Sequence, residues 1–297
     1  MIEAISKIVG DTKQTQTVVV VGLGLIGGSV ALALSATGRY EVLGIERDAD
    51  TVRAALEKGA VTRCGDATLL GEADMVILAL SPRGSVAFLR EHVAQIQKGA
   101  LVTDVCGVKT PVVAAAEPLC LANGLRFVGG HPMAGKERNG FVNADGALFQ
   151  RANYLIATTP NSDPAAVEQV KTLAADLGCR NVVMTTPRDH DEIIAFTSQL
   201  PHVLAGAYVK SARCDRQHGF TGGSYQDVSR VATVDENLWT DLFLLNKEHL
   251  LTEIDDLIDH LTAYRRAIAA DDTDALMDTI RRGREIKQIQ NRKETSV

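Results

Sequence analysis

The chain has 297 residues, roughly two domains at about 150 residues each. Its 45% hydrophobic and 23% charged residues exclude a largely disordered protein. Lys and Arg number 31 against 37 Asp and Glu, a net charge of −6 that leaves no reservoir of cations for a nucleic-acid backbone.

In chain order, the N-terminal stretch MIEAISKIVGDTKQ has no apolar core of the kind a signal peptide carries. The first half then reads as strand alternating with helix. The predicted strands are Thr17–Val21, Glu41–Ile45, Met75–Ala79, Ala100–Thr103, Arg126–Val128 and Asn153–Ala157, each a short apolar run suited to a sheet covered on both faces. Helical patterns fall at Gly28–Ser35, Asp48–Lys58, Gly84–Gln95 and Pro111–Leu121. A further helix, Asp163–Leu177, and a short strand near Val182–Met184 close the domain. Repeated strand–helix–strand units imply right-handed crossovers, so the fold class is α/β with a Rossmann-like, doubly wound parallel sheet over residues 1–186.

After Thr186 the apolar residues recur at three- and four-residue steps, which makes 187–297 all-helical. Thr186-Pro187 is an N-cap and first-turn proline for a long helix reaching about Arg213, kinked at Pro201. A second long helix runs from Glu236 to about Ala269, with Leu238, Leu242, Leu245, Ile254, Leu257, Leu261 and Tyr264 along one stripe. A last one begins near Asp272 and fades into the polar tail Asn291–Val297. Such wide apolar faces are covered either within an intrachain bundle or, the favoured expectation, by a second copy of the chain. No window approaches the roughly 18 apolar residues of a membrane span. The five scattered cysteines, with no C-x-x-C pair, fit reduced thiols and a cytoplasmic location.

Three groups of residues carry chemistry. Gly22-Leu23-Gly24-Leu25-Ile26-Gly27 follows the first strand and opens a helix, the pattern in which a pyrophosphate rests on backbone N–H groups at a helix N-terminus. Glu46, at the end of the second strand, is the acid expected to hold the adenine ribose; its charge favours NAD, whereas Arg47 beside it would suit the 2′-phosphate of NADP. The second group lies beyond the carboxyl ends of later strands: Leu80 and Ser81, then Asp104 to Lys109 with Gly107, then Gly129 to Gly135 with His131 on a sharp turn. His131 there can act as a general base. Downstream, His190 and Asp191 are either helix N-terminal polar residues or functional ones. Arg230 is either a carboxylate clamp or the partner of Asp227 one turn earlier. A metal site is not expected, because His190 and His202 lack helical ligand spacing.

Taken together, GLGLIGGS (Gly22–Ser29), TDVCGVK (Thr103–Lys109), GGHPMAGKERNGF (Gly129–Phe141), HDEIIAFTSQLPHVLA (His190–Ala205), GGSYQDVSRVA (Gly222–Ala232) and DENLWTDLFLLNKEHL (Asp235–Leu250) resemble the prephenate/arogenate dehydrogenases of tyrosine biosynthesis. The resemblance implies a dinucleotide-binding domain followed by a helical dimerisation domain. It further implies oxidative decarboxylation of prephenate to 4-hydroxyphenylpyruvate, or of arogenate to tyrosine. By the same resemblance His131 is the catalytic histidine, Arg230 and His202 contact substrate, Trp239 reaches the neighbouring subunit's site, and Glu137 stands where the family has a polar gate. Lys136 would help anchor an anionic substrate.

Three positions depart from the family pattern. Gly107 stands where many members have a serine that assists the histidine, so a water or the Ser81 hydroxyl is expected to substitute. Gln199 replaces a histidine and Lys136 a small polar residue, at positions where substrate preference is set. No C-terminal regulatory domain is expected beyond Val297, and so no tyrosine feedback through one. Two other classes compete. A β-hydroxyacid dehydrogenase would need a helical-domain lysine, for which Lys210 has no supporting motif. An NAD sensor without catalysis has only Gly107 in its favour.

Overall fold

The computed structural model describes residues 15–295; the stretch read as lacking a leader, and the end of the polar tail, lie outside the described residues. Eight strands form one sheet: β1 (Gln16–Val21), β2 (Tyr40–Ile45), β3 (Arg63–Gly65), β4 (Met75–Leu78), β5 (Leu101–Asp104), β6 (Arg126–Pro132), β7 (Asn153–Ala157) and β8 (Asn181–Thr185). Their order is β3-β2-β1-β4-β5-β6-β7-β8, so the chain reverses direction of winding between β1 and β4, the position where α/β sheets open a crevice for ligand.

The valine run of β1 shows why the sheet forms. Val18 and Val20 point into one apolar layer, Val19 and Val21 into the other, and all four are buried. The first layer is filled by α1 (Leu25–Thr37) through Val30 and Leu34, and by α5 (Pro164–Asp176). The second is filled by α3 (Pro82–His92) and α4 (Thr110–Ala122); α2 (Ala49–Glu57) adds Ala55 to the first.

The sheet differs from the expected all-parallel one in two places. β7 runs antiparallel to β6, with Gly130 opposite Ile156 and His131 opposite Leu155. A buried apolar run such as Asn153–Ala157 reads the same in either direction, so the sequence carries no sign of this. β3 was not expected, because Arg63-Cys64-Gly65 has no apolar run to announce it.

The helical part begins with α6 (Pro187–Ile194), capped by Thr186, whose hydroxyl accepts from the Asp189 N–H. One kinked helix to Arg213 was expected. Instead a π-helical turn, Ala195–Gln199, precedes α7 (Leu200–Tyr208), and the helix stops at Tyr208. Pro201 has no N–H to give the preceding turn, and the wider turn absorbs that lost bond. The glycine-rich break yields a short helix, α8 (Gly223–Ser229). The helix expected from Glu236 to Ala269 is broken at Asn246 into α9 (Glu236–Leu245) and α10 (Lys247–Ala269). Asn246 is buried, and its side-chain amide donates to the Asp191 carbonyl (2.8 Å) and to Gln199 Oε1 (2.9 Å), bonds that an uninterrupted helix would not require. The final helix α11 (Thr273–Thr295) continues past the point where it was expected to fade.

By packing, the residues divide into a compact unit ending at Asn246, which holds the sheet and α6–α9, and a second beginning at Lys247, which holds α10 and α11. Within the second, Leu251, Ile258, Leu261, Ile268, Met277, Ile280, Ile286 and Ile289 are all exposed. No described helix is long and apolar enough to cross a membrane.

Candidate active site

A cleft of about 590 Å³ opens at the switch point between β1 and β4. At one end lies the glycine turn. Gly22 has φ +88°, a conformation that suits glycine, and a Cβ on Gly27 would stand 1.9 Å from the Gly22 carbonyl oxygen. Gly24 has open space where a Cβ would be, and no side chain caps α1. The N-terminal N–H groups of α1 are thereby presented to the cleft that Gly24, Leu25 and Ile26 line. The Glu46 carboxylate accepts from the N–H groups of Leu23 (2.9 Å), Arg47 (2.7 Å) and Asp48 (3.1 Å), locking the end of β2 to the glycine turn. An open helix N-terminus, a glycine-only turn and an acid at the next strand end suit a dinucleotide. Leu80 and Ser81 line the opposite wall; the Ser81 hydroxyl caps α3 by accepting from the Gly84 N–H at 3.1 Å.

In the middle of the cleft stands His131. It belongs to β6 itself rather than to a sharp turn after it, because the strand runs on to Pro132 to pair with β7. The glycine before it is obligatory: a Cβ on Gly130 would lie 2.4 Å from the Tyr154 hydroxyl and 2.7 Å from the Asp104 carbonyl oxygen. Beneath the strand, the fully buried Lys109 ammonium is paired with the Asp104 carboxylate and donates to the Gly130 carbonyl at 2.7 Å. His131 Nδ1 meets His190 Nε2 at 2.9 Å, and His190 Nδ1 meets Asp191 Oδ1 at 2.7 Å. Burial, then His190 and the Lys109 ammonium, hold the His131 pKa well below its usual 6.5. His190 is lowered as well, by burial, with Asp191 acting in the opposite sense.

The third wall comes from the helices. His202 stacks on Trp239 with ring centroids 3.6 Å apart, and its Nδ1 donates to the Ser198 carbonyl at 2.7 Å, leaving Nε2 for the cleft. Arg230 is ion-paired with Glu137, not with Asp227, so long-range folding overrides the one-turn spacing. Lys136 lines the same wall and reaches Asp145 at 3.4 Å.

The cleft thus gathers Gly24, Leu25, Ile26, Leu80, Ser81, Gly107, His131, Lys136, Glu137, His202, Arg230 and Trp239. Gly22 and Gly27 lie beneath the turn rather than on the lining, and Glu46 and Arg47 stand beyond it. Trp239, assigned by resemblance to a neighbour's site, lines the cleft of its own chain. The partner of His131 is His190 rather than Ser81, whose hydroxyl serves α3. A Cβ on Gly107 would stand 3.2 Å from Leu242 Cδ2, so α9 crowds the position where a serine was missed. Gln199 is buried, donating to the Leu242 carbonyl at 3.2 Å, and its amide is committed to holding α9. The roles of Lys109 with Asp104, and of His190 with Asp191, were not foreseen. The only sequence signals were an Asp and a Lys five residues apart and a His-Asp pair opening a helix.

Both parts of the chain are similar to known proteins. Residues 30–183 match the family model of the prephenate dehydrogenase nucleotide-binding domain, and residues 186–282 that of the prephenate dehydrogenase dimerization domain. Prephenate dehydrogenase of Bacillus subtilis (strain 168) is 32% identical over 269 residues, covering 88% of this chain and 72% of that one. Among solved structures, prephenate dehydrogenase from A. aeolicus in complex with hydroxyphenyl propionate and NAD+ is 26% identical, with a TM-score of 0.82 over 93% of this chain and 98% of that one. Synechocystis arogenate dehydrogenase is 28% identical, with a TM-score of 0.75 over 95% of this chain and all of that one. Two domain models in sequence and a relative above 30% identity leave one conclusion: the chain belongs to the prephenate dehydrogenase family.

Proposed function

We propose that this chain oxidises and decarboxylates prephenate to 4-hydroxyphenylpyruvate, with NAD as the hydride acceptor. The observation that carries the reading is His131: a half-buried histidine in the cleft, uncharged near neutral pH, with one ring nitrogen bonded to protein and the other left for substrate. Gly22, Gly24, Leu25, Ile26 and Gly27 would hold the pyrophosphate, and Glu46 the adenine ribose. The Glu46 carboxylate would repel a 2′-phosphate, which favours NAD although Arg47 is adjacent. When bound, the nicotinamide supplies an acceptor for two electrons and one hydrogen.

His131 Nε2 hydrogen-bonds the ring hydroxyl of the substrate and takes its proton as hydride leaves the same carbon. The carbon–carboxylate bond then breaks, its electron pair enters the ring, and CO₂ departs. The ring oxygen recovers the proton from His131, and the product is a phenol. Aromatisation drives the reaction downhill, so the protein's part is to orient the ring and handle one proton. The substrate is a dianion and the chain is acidic, so cationic anchoring has to be local; Arg230, opened from Glu137, is the fork that matches a carboxylate, with Lys136 nearby. His202, held against Trp239, faces the same space.

Arogenate differs by an ammonium on the side chain, and Glu137, one of two carboxylates lining the cleft with Asp235, is the one beside Arg230 that would meet it. Offering both substrates with NAD and NADP, and following NADH or NADPH absorbance, separates the readings; no turnover of either substrate would refute the proposal. Residues 1–186 would then serve the cofactor, and 187–297 the substrate and a homodimer. The exposed apolar side chains of α10 and α11 support that dimer. Sedimentation at micromolar concentration should show a dimer, and a monomer would contradict it.

A further inference from the structure

His131 can serve as a base at Nε2 only in the tautomer that carries its proton on Nδ1, and the structure contains a device that selects that tautomer. Asp191 is buried and its carboxylate is fixed from two sides: Oδ1 accepts from the Lys109 N–H at 2.7 Å and Oδ2 from the Thr110 N–H at 2.8 Å. A carboxylate so held can only accept, so the His190 Nδ1 facing it at 2.7 Å must be the donor. Neutral His190 then has a bare Nε2, which accepts from His131 Nδ1 at 2.9 Å. His131 Nε2 is left unprotonated toward the cleft. The opposite tautomer would set the His190 Nδ1 lone pair against the Asp191 carboxylate in a buried site, where such repulsion is least screened.

We propose that His190 and Asp191 are positioning residues that hold His131 in its Nδ1-protonated form and stabilise it when it gains the substrate's proton. The inference rests on His131 being the proton acceptor. It also explains how the site works with Gly107 where a hydroxyl was expected: the second ring nitrogen of His131 already has a partner. The charged and titratable groups around the pair come from three other elements. Lys109, entering α4, disfavours protonation of both rings; Asp104 on β5 favours protonation of His190; and the Tyr154 hydroxyl on β7 stays neutral, its pKa raised by burial. His190 itself is buried among them, so its partner is not exchanged for water.

Two measurements test the proposal. In ¹⁵N-histidine-labelled wild-type protein at neutral pH, the His131 signals, identified by their loss in His131→Asn, should show a protonated Nδ1 and a bare Nε2; the reverse assignment would overturn the relay. Kinetically, His190→Phe removes the acceptor and should lower kcat about 10- to 100-fold with little change in the KM for prephenate, by analogy with the loss of a hydrogen bond that orients a metal-bound histidine. His190→Gln, whose side-chain oxygen can accept from Nδ1, should recover most of that loss. A Phe variant with wild-type kcat, or a Gln variant no better than the Phe variant, refutes the proposal, and the labelled wild-type spectrum decides should the variants not fold. A wild-type protein that shows the stated tautomer yet turns over neither prephenate nor arogenate would refute the substrate reading while leaving the relay intact.

Discussion

The two ends of the substrate cleft are built on opposite principles. At the end proposed to handle the proton, Asp104, Lys109, His190 and Asp191 are buried, and each polar group meets a fixed partner at hydrogen-bonding distance. At the end proposed to anchor the anion, the Arg230 side chain is 66% exposed and its partner Glu137 40% exposed. A buried network is rigid because every missed bond is expensive there, whereas an exposed ion pair contributes little and can exchange partners. Proton transfer needs a nitrogen held in one orientation and one tautomer, while admission of a dianion needs a cation that can let go of its resting partner. Each end has the burial that its proposed task requires.

This contrast predicts which variants lose rate, which lose stability and which lose affinity. The largest effect belongs to His131→Asn. It should cut kcat by roughly two to four orders of magnitude, the usual range for a general base, while NAD binding, read by titration, stays near wild type; near-normal turnover would remove His131 from its role. Lys109→Met would strand the Asp104 carboxylate in the interior and should cost about 3–5 kcal/mol in urea denaturation. A stability close to wild type would mean that the buried end is not the rigid part.

Arg230→Ala should leave denaturation unchanged, since the side chain is exposed, but raise the KM for prephenate about tenfold or more, as expected for losing a hydrogen bond between charged groups. A change in stability without a change in KM would reverse the contrast. Acidification separates the ends further. The pKa values of half-buried His131 and buried His190 lie below 6.5, so the unfolded chain binds more protons than the folded one in that window. Their contribution to stability is complete above about pH 6.5 and is lost as the pH falls toward their folded values. Likewise kcat/KM should stay flat through pH 6.5 and decline only below it; a midpoint at the ordinary histidine value would show that the surroundings of His131 do not hold it uncharged as described. The smallest effect is expected for Gly107→Ser. Its Cβ presses on the end of the Leu242 side chain, and a penalty of about 1 kcal/mol should result.

The parts of this molecule that could be read from its sequence are those set by neighbours along the chain. The valines of β1, the three glycines after it and the acid ending β2 sit within some 30 residues, and their spacing follows from strand and turn geometry alone. The cap at Thr186 is equally local. What escaped was set across the fold. His131 and His190 are 59 residues apart in the chain and meet only because α6 packs on α4 and β7, the strand paired with β6. Arg230 passes over Asp227 for Glu137, 93 residues away. The break at Asn246 exists because its amide reaches Asp191 and Gln199, and spacing of leucines cannot show that. The family resemblance pointed to the cleft residues, but it offered a serine's substitute where the fold supplies a histidine.

The decisive measurement is the rate of NADH formation when the purified wild-type chain is given prephenate and NAD. Steady turnover with equimolar release of CO₂ and 4-hydroxyphenylpyruvate is the result predicted by a cleft that joins a nucleotide turn, a neutral histidine and an exposed arginine. A folded protein that binds NAD yet forms no NADH from prephenate would contradict it.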